Sequence, residues 1–395
     1  MTSSTKDGII ILNAGSSSLK FKIFYIEGLQ DLTFGQITGI GTAKTKFVIK
    51  DSATNKAVLE EILDSNTSRA DLLAYLLDTI KKHFPNVNIT TAGHRVVHGG
   101  SIYTQPTTIN QAVIDNLKTL QNLSPIHLPH NIAPMEILLK KYPALKQVAC
   151  FDTAFHSTNP DHTRYYAIPK ELIEEDKLLR YGFHGLSYEY IASKLKEIEP
   201  TLYKGKTIVC HLGAGASVCA LNEGKSFTTS MGFTPLDGLV MGSRCGSIDP
   251  GILLYLMNNK GYDAKQLEDL LYYKSGILGL SGISSDFYSL EISPDPLAKQ
   301  ALDIFCYNLV KVIGSYIVAL GGVDGIVFTA GVGENASDIR EYVGNALAFL
   351  GVKYDNEANK KKEVVFSTPD SKIKMLTIPT NEELMIAQHT LAKLK

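Results

Sequence analysis

Between positions 8 and 50 the apolar residues come in short runs, at 9–12, 21–25, 32–37 and 47–49, separated by Gly, Ser and Thr. Runs of that length with turn residues between them predict a series of antiparallel strands. The period then changes. Leucines at 72, 73, 76 and 77 predict one amphipathic helix over 70–83, and a second is predicted over 109–120. Residues 147–151 read as a short buried strand that runs into a polar turn.

From Lys206 the opening pattern recurs: a strand over 207–210, a glycine turn at 213–217, then strands over 218–222 and 226–229. The recurrence predicts an internal duplication, and because no low-complexity linker separates the halves it alone sets the boundary near 150. Helices are expected over 252–257, 264–273 and 296–320. A third strand, turn and helix follow at 325–329, 331–335 and 336–350. The fold class expected is α/β in two domains, in keeping with a length of 395 residues, about twice the usual single-domain size.

Composition narrows the classes of function. Hydrophobic residues make up 44% and charged residues 20%, enough apolar material for substantial cores, so disorder is excluded as the main state. Lys and Arg number 39 against 40 Asp and Glu, which removes any overall electrostatic drive toward nucleic acid or an anionic membrane. The five cysteines are scattered and never spaced Cys-x-x-Cys, the pattern of buried thiols rather than of a disulfide framework or a zinc knuckle. The first residues lead straight into a strand without an apolar leader, and no uninterrupted apolar run approaches ~18 residues, so a cytoplasmic location is expected.

Three strand-to-turn junctions carry small residues: Asn13-Ala-Gly15-Ser-Ser-Ser18-Leu-Lys20, His211-Leu212-Gly213-Ala214-Gly215 and Gly331-Val332-Gly333-Glu334-Asn335. Glycine lets backbone N–H groups approach an anion, and hydroxyls with a lysine add donors and charge. One such turn is an ordinary turn; three in one chain point to phosphate. Gly-Lys-Thr at 205–207 is no Walker motif, because Pro200 stands where the pattern needs glycine. The segment from Gly331 fits the permissive dinucleotide pattern, with Asp355 about 20 residues on, so a Rossmann site competes; its place near the end of the chain counts against it.

Two arginines are flanked by glycines, in Gly93-His94-Arg95-Val-Val97-His98-Gly-Gly100 and in Met241-Gly-Ser-Arg244-Cys-Gly246. A buried arginine needs an anionic partner, either a carboxylate in a structural ion pair or a phosphate. His94 and His98 have no evident third ligand, and the glycines after them oppose a helix, so a metal pair is rejected. Asp152 ends an apolar strand, where it is either a cleft carboxylate or a helix cap, and His184 sits between small and aromatic residues, where it is either packed or functional. Taken together these parts suit phosphoryl transfer between a nucleotide and a polar small molecule.

These motifs, with Phe151-Asp-Thr-Ala-Phe-His156, Tyr181-Gly-Phe-His-Gly185, Phe328-Thr-Ala-Gly-Val-Gly-Glu-Asn335 and Pro379-Thr-Asn-Glu-Glu-Leu384, resemble the acetate kinase family, of the acetate and sugar kinase, actin and heat-shock ATPase superfamily, from Asn13 to Ala387. The resemblance implies two duplicated actin-like (ribonuclease H-like) domains around a cleft. The N-terminal domain would hold 1–150 with 380–395; the second, 151–379, would bind nucleotide and build a homodimer. It implies transfer of the ATP γ-phosphoryl group to acetate, giving acetyl phosphate and ADP with Mg2+, Mn2+ being an alternative, and no nucleic-acid or membrane partner. By motif, Asn13 and Glu382 would hold the metal and Lys20 would sit near the phosphates. Arg95, Asp152, His184, Arg244 and His127 would act at the reacting group, while Val97, Leu123 and Pro235 would wall the acetate methyl, with Arg95 also on its carboxylate. The nucleotide would meet 211–215, Ser285, Asp286, Phe287 and 331–335. The chain departs from the usual pattern at Ala214, at Tyr288 where an arginine is common, and at Tyr188 where a histidine is usual. The rivals are a propionate or butyrate kinase and a non-catalytic nucleotide switch of the chaperone or filament class.

Overall fold

The computed structural model describes residues 5–395; residues 1–4, which the sequence assigns to the first domain and reads as lacking an apolar leader, lie outside the described residues. The chain forms two compact units. One runs to Ala154 and takes up Asn381–Lys395, and the other is Phe155–Thr380.

The first unit is built on an eight-stranded sheet: β1 (Lys6–Ala14), β2 (Ser18–Tyr25), β3 (Asp31–Thr38), β4 (Thr45–Asp51), β5 (Ala57–Leu63), β6 (Val87–Val96), β7 (Thr107–Thr108) and β8 (Lys146–Phe151). Their order is β5-β4-β3-β2-β1-β6-β8-β7. β1 runs antiparallel to β2 and parallel to β6, and β6 runs parallel to β8. Ile9, Ile10, Ile11 and Leu12 are all buried, as a central strand covered on both faces requires. Leu72, Leu73, Leu76 and Ile80 of the helix Arg69–His83 pack in one cluster with Ile10, Leu12, Phe21 and Phe47. The helix Glu382–Leu394 packs against β1, β6 and β8. It comes so close that a Cβ on Gly93 would stand 2.7 Å from Ile386 and Thr390 side-chain atoms, so glycine is the residue β6 needs there. The strand β5 has no counterpart in the hydrophobic pattern. It is an edge strand with no buried residue and carries Glu60 and Glu61, the kind of charged edge that discourages further pairing.

The second unit has a five-stranded sheet: β9 (Lys206–Leu212), β10 (Ala216–Asn222), β11 (Lys225–Thr229), β12 (Gly325–Thr329) and β13 (Lys374–Thr377), in the order β11-β10-β9-β12-β13. Three antiparallel strands continued by two parallel ones is also the order of β3-β2-β1-β6-β8, so the recurrence in the sequence is a recurrence of topology. The helix Pro296–Leu320 is long and apolar enough to cross a membrane by length and composition. It packs on β9 and β10 and buries Ala298, Ala301, Phe305, Leu309 and Ile313. Two expectations change here. The turn at 331–335 is itself a short helix, Ala330–Asn335, and the helix after it is Ser337–Ala346, followed by a 3-10 turn. Ala330, with φ +66°, makes the break from β12, a conformation that costs a non-glycine residue about 1–2 kcal/mol.

Candidate active site

In the first unit β1, β6 and β8 lie side by side and parallel, which brings Asn13, Arg95 and Asp152 to the carboxyl ends of neighbouring strands, where open α/β sheets bind ligands. Antiparallel pairing sets Lys20 of β2 across from Asn13. Arg95 Nε donates to Asp152 Oδ1 at 3.0 Å and Nη2 to Oδ2 at 2.9 Å, while Nη1 donates to Glu382 Oε2 at 2.7 Å. Glu382 opens the C-terminal helix, whose end is capped by Asn381 accepting from the Leu384 N–H at 3.0 Å. Burial opposes the charge on Arg95, but Asp152 and Glu382 outweigh it and hold the guanidinium protonated. Burial also pushes the Glu382 carboxyl up to about 7, with Arg95 and Lys20 opposing and Asp152 and Glu383 adding to the shift. Asp152 is pushed the same way by burial, against Arg95.

Two carboxylates around one arginine leave negative charge in surplus. Glu382 Oε1 is buried and has no hydrogen-bond partner. Among the described residues no three His, Cys, Asp or Glu cluster as a metal cage. Mg2+ takes oxygen ligands, needs few from the protein and keeps waters and substrate phosphates as the rest. The Asn13 amide and the orphaned Glu382 oxygen fit such an ion.

Nearby side chains hold the strand ends in place. Asn131 accepts from the Val97 N–H at 2.9 Å and donates to the Ala14 carbonyl at 2.7 Å, tying the end of β6 to that of β1. Val97 packs on the cluster of Leu128, Ile132 and Met135; Leu123 lies half-buried in a 3-10 turn, and the half-buried His127 caps the helix Leu128–Lys141. His94 and His98 are core histidines, one at 2.9 Å from Gln147 Oε1 and the other accepting the Gly100 N–H at 2.8 Å. Burial lowers both to about 4.

In the second unit β9 pairs with β12 in parallel, Thr329 opposite His211, so the glycine turn at 213–215 and the helix Ala330–Asn335 are neighbours. A Cβ on Gly213 would lie 4.0 Å from Ala330 Cβ. A Cβ on Gly215 would lie 3.6 Å from both Arg244 Nη1 and His184 Nε2, so the absent side chain leaves a cradle that a guanidinium and an imidazole border together. Arg244 is half-buried, and its Nη1 donates to the Pro235 carbonyl at 3.1 Å. Among the described residues it has no carboxylate partner, and burial draws its pKa below the ordinary range. His184 has φ +58° and stacks on His211 with ring centres 4.1 Å apart.

The remaining candidates are partly spent on structure. Asp286 caps its helix through the Ser289 N–H at 2.9 Å, and the Phe287 ring packs edge-on against Phe305. Ser285 is exposed, and its carbonyl would meet a Cβ on Gly242 at 2.7 Å, so the Arg244 loop rests on it. Glu334 accepts from the Thr380 N–H at 3.2 Å and Asn335 from Lys362 at 2.7 Å. Gly331, Ala214 and Asn335 are exposed at the turns, whereas Leu212 and Gly333 are buried beneath them.

Three residues to which the sequence reading gave no role stand beside these. Arg340 is fully buried, donates to the Gly333 carbonyl at 2.8 Å and clamps Asn359 through Nε and Nη2 at 2.7 Å. Burial lowers it to about 10. Its one signal in the sequence is its position among the buried Ile339, Val343 and Gly344 of an amphipathic helix, where a surface arginine would not stand. Ser217 and Tyr188, both fully buried, join His184: Ser217 Oγ lies 2.9 Å from His184 Nδ1 and 2.5 Å from the Tyr188 hydroxyl.

The chain is similar to known proteins over nearly its whole length. The model of the acetokinase family matches residues 8–388. A protein of Rhodopseudomonas palustris (strain TIE-1) named acetate kinase is 45% identical over 391 residues, covering 97% of each chain. Among solved structures, Porphyromonas gingivalis acetate kinase superimposes with a TM-score of 0.90 at 35% identity, covering 98% of this chain and 100% of the other. A propionate kinase from Francisella tularensis gives 0.91 at 38% identity, with 98% and 99% covered. With the family model matched over residues 8–388 and a relative 45% identical over 97% of each chain, the chain belongs to the acetokinase family.

Proposed function

We propose that the chain transfers the γ-phosphoryl group of ATP to acetate by direct, reversible in-line displacement, giving acetyl phosphate and ADP. The observation that carries this reading is Arg244: a half-buried cation with no acid to cancel it, beside His184 Nε2 over an open glycine. Acetate is ionised at pH 7 and needs no general base. The obstacle is repulsion between an anionic nucleophile and an anionic phosphoryl group, so preorganised positive charge is what the protein must supply.

Arg244 and His184 act on the equatorial oxygens of the transferring group. Arg95 uses three of its five N–H donors on Asp152 and Glu382 and keeps two for the acetate carboxylate and the phosphoryl group. Asp152 fixes its direction. Asn13 and Glu382 would hold Mg2+, or Mn2+, which when bound neutralises charge on the phosphate oxygens. Lys20 supports the phosphates, with the backbone of 211–215 and 331–335 and the loop at 285–287 for the rest of the nucleotide. His127 faces the phosphoryl group, and Val97, Leu123 and Pro235 enclose the methyl.

Trapping of acetyl phosphate by hydroxylamine tests the reading: hydroxamate must form with ATP, Mg2+ and acetate and be absent without any one of them. A propionate preference is the second reading, favoured by the likeness to the Francisella protein. One methylene discriminates by only about 1–3 kcal/mol, so kcat/KM for the two acids decides between them. The enzyme acts as a cytoplasmic homodimer. The helix Pro250–Lys260 supports this, since it is apolar yet buries no residue, with Leu254 60% and Tyr255 53% exposed. Leu254→Lys is expected to shift the sedimenting species to the monomer.

A further inference from the structure

The buried Tyr188–Ser217 pair has no part in the roles assigned above, yet it reaches the reacting side of the second unit through one ring nitrogen. Tyr188 lies one helical turn beyond His184, its N–H donating to the His184 carbonyl at 3.1 Å. Its hydroxyl is fully buried and meets Ser217 Oγ at 2.5 Å, the single polar partner it has among the described residues. A buried hydroxyl proton with no acceptor costs about 1–3 kcal/mol, so the Tyr188 O–H points at Ser217. Burial holds the phenol well above its ordinary pKa, so that proton is always present. Ser217 accepts it and has its own proton to direct at His184 Nδ1, 2.9 Å away. An imidazole that accepts at Nδ1 carries its hydrogen on Nε2, the atom that borders the cradle over Gly215. The ring plane is fixed independently by the stack on His211, which Ser187 Oγ holds at 2.8 Å and Thr380 Oγ1 backs at 2.8 Å.

We propose that Tyr188 and Ser217 are positioning residues that lock His184 in the Nε2–H tautomer, so that the ring meets the phosphoryl oxygens as a ready-aimed hydrogen-bond donor. The inference rests on the role given to His184 above. It also gives the replacement of the usual histidine by Tyr188 a chemical meaning: a phenol is a donor of fixed sense at any working pH, whereas an imidazole can present either an N–H or a lone pair.

The test uses the full chain and an isosteric pair. Ser217→Thr keeps the hydroxyl and Ser217→Val removes it at equal shape. The threonine variant is expected to hold kcat at least about tenfold above the valine variant, with KM for acetate and ATP differing less than about twofold between them, as for loss of a group that acts only in the transition state. Tyr188→Phe is expected to lower kcat by about tenfold. In 15N-histidine spectra of the wild-type enzyme, with the His184 signals assigned by their loss in His184→Gln, Nδ1 is expected at the unprotonated position, moving toward the tautomer average in Tyr188→Phe. A protonated, neutral-ring Nδ1 in the wild type, or equal kcat in the threonine and valine variants, overturns the proposal. Undiminished turnover in His184→Gln overturns instead the parent assignment of His184 to the chemical step, and the spectrum still decides the tautomer.

Discussion

Arg95 and Arg244 sit in glycine-flanked segments that look alike in sequence, and the two units treat them in opposite ways. Arg95 is gripped by Asp152 at two points and by Glu382 at a third, so its charge is more than cancelled. Arg244 donates to a backbone carbonyl and a methionine sulfur at 3.9 Å and keeps its charge uncancelled at a cost in burial. The difference teaches that the fold ties one cation down with acids and leaves the other with its charge uncancelled. A guanidinium fixed by acids costs little to bury and gives direction. One left without an acid stores attraction for an incoming anion.

Removing the uncancelled charge is therefore expected to have the largest effect on turnover. Arg244→Ala should lower kcat by at least about a hundredfold while leaving the thermal midpoint within a few degrees, because no buried charge is abandoned. Wild-type turnover in this variant would break the comparison outright.

Arg95→Ala should also cost about a hundredfold in kcat, but with a loss of stability of about 3–5 kcal/mol, since two buried carboxylates are left facing each other. Adding Asp152→Asn should return part of the melting temperature and none of the activity. An unchanged midpoint in Arg95→Ala would mean that the ion-pair cluster is not what holds β6 and β8 to the C-terminal helix.

Arg340 sharpens the contrast from a third side: among the described residues it too has no carboxylate partner, yet protein oxygens at Gly333 and Asn359 take three of its five donors. Arg340→Gln is expected to raise KM for ATP several-fold through a loosened 330–335 segment and to change kcat little. A loss of kcat as large as that of Arg244→Ala would show that an uncancelled cation need not face the substrate to act.

The smallest effect is on the acid limb of stability. His94, His98 and His156 are each held at about 4 by burial, below their value of 6.5 when unfolded. Their contribution is fully present above pH 6.5 and is lost as pH falls toward 4, because the unfolded chain binds the protons first. Each adds up to about 1.4 kcal/mol per pH unit to the slope. Glu382, raised to about 7, works in the opposite sense over the upper part of that window. Urea midpoints should therefore fall between pH 6.5 and 4, and less steeply in His94→Gln. A flat profile would mean that these rings are not buried neutral.

Much of this was legible in one dimension. Strand runs such as 9–12 and 325–329, the helix Pro296–Leu320 and the repeated strand-turn pattern follow from periodicity, because burial of one face writes itself into the order of apolar residues. The edge strand β5 escaped because its apolar residues, Val58, Leu59 and Leu63, are only partly buried against the core and do not alternate cleanly with polar ones. The helix Ala330–Asn335 escaped because its two glycines read as a turn, whereas in the fold the segment is helical and packs against β9. Asp286 and Phe287 were legible as residues, but a cap and an edge-on ring contact engage their side chains.

The sequence by itself determined the chemistry in stock: two guanidinium groups beside glycines, amides and carboxylates at the ends of strands, and three small-residue turns after strands. Tertiary structure alone decided which arginine is neutralised, that Glu382 returns across 287 positions to meet Arg95, and that Ser217 stands between Tyr188 and His184. The physical reason is that residue type fixes what a group can donate, accept or charge, while its pKa, its partner and its direction depend on what the fold places within about 3 Å of it.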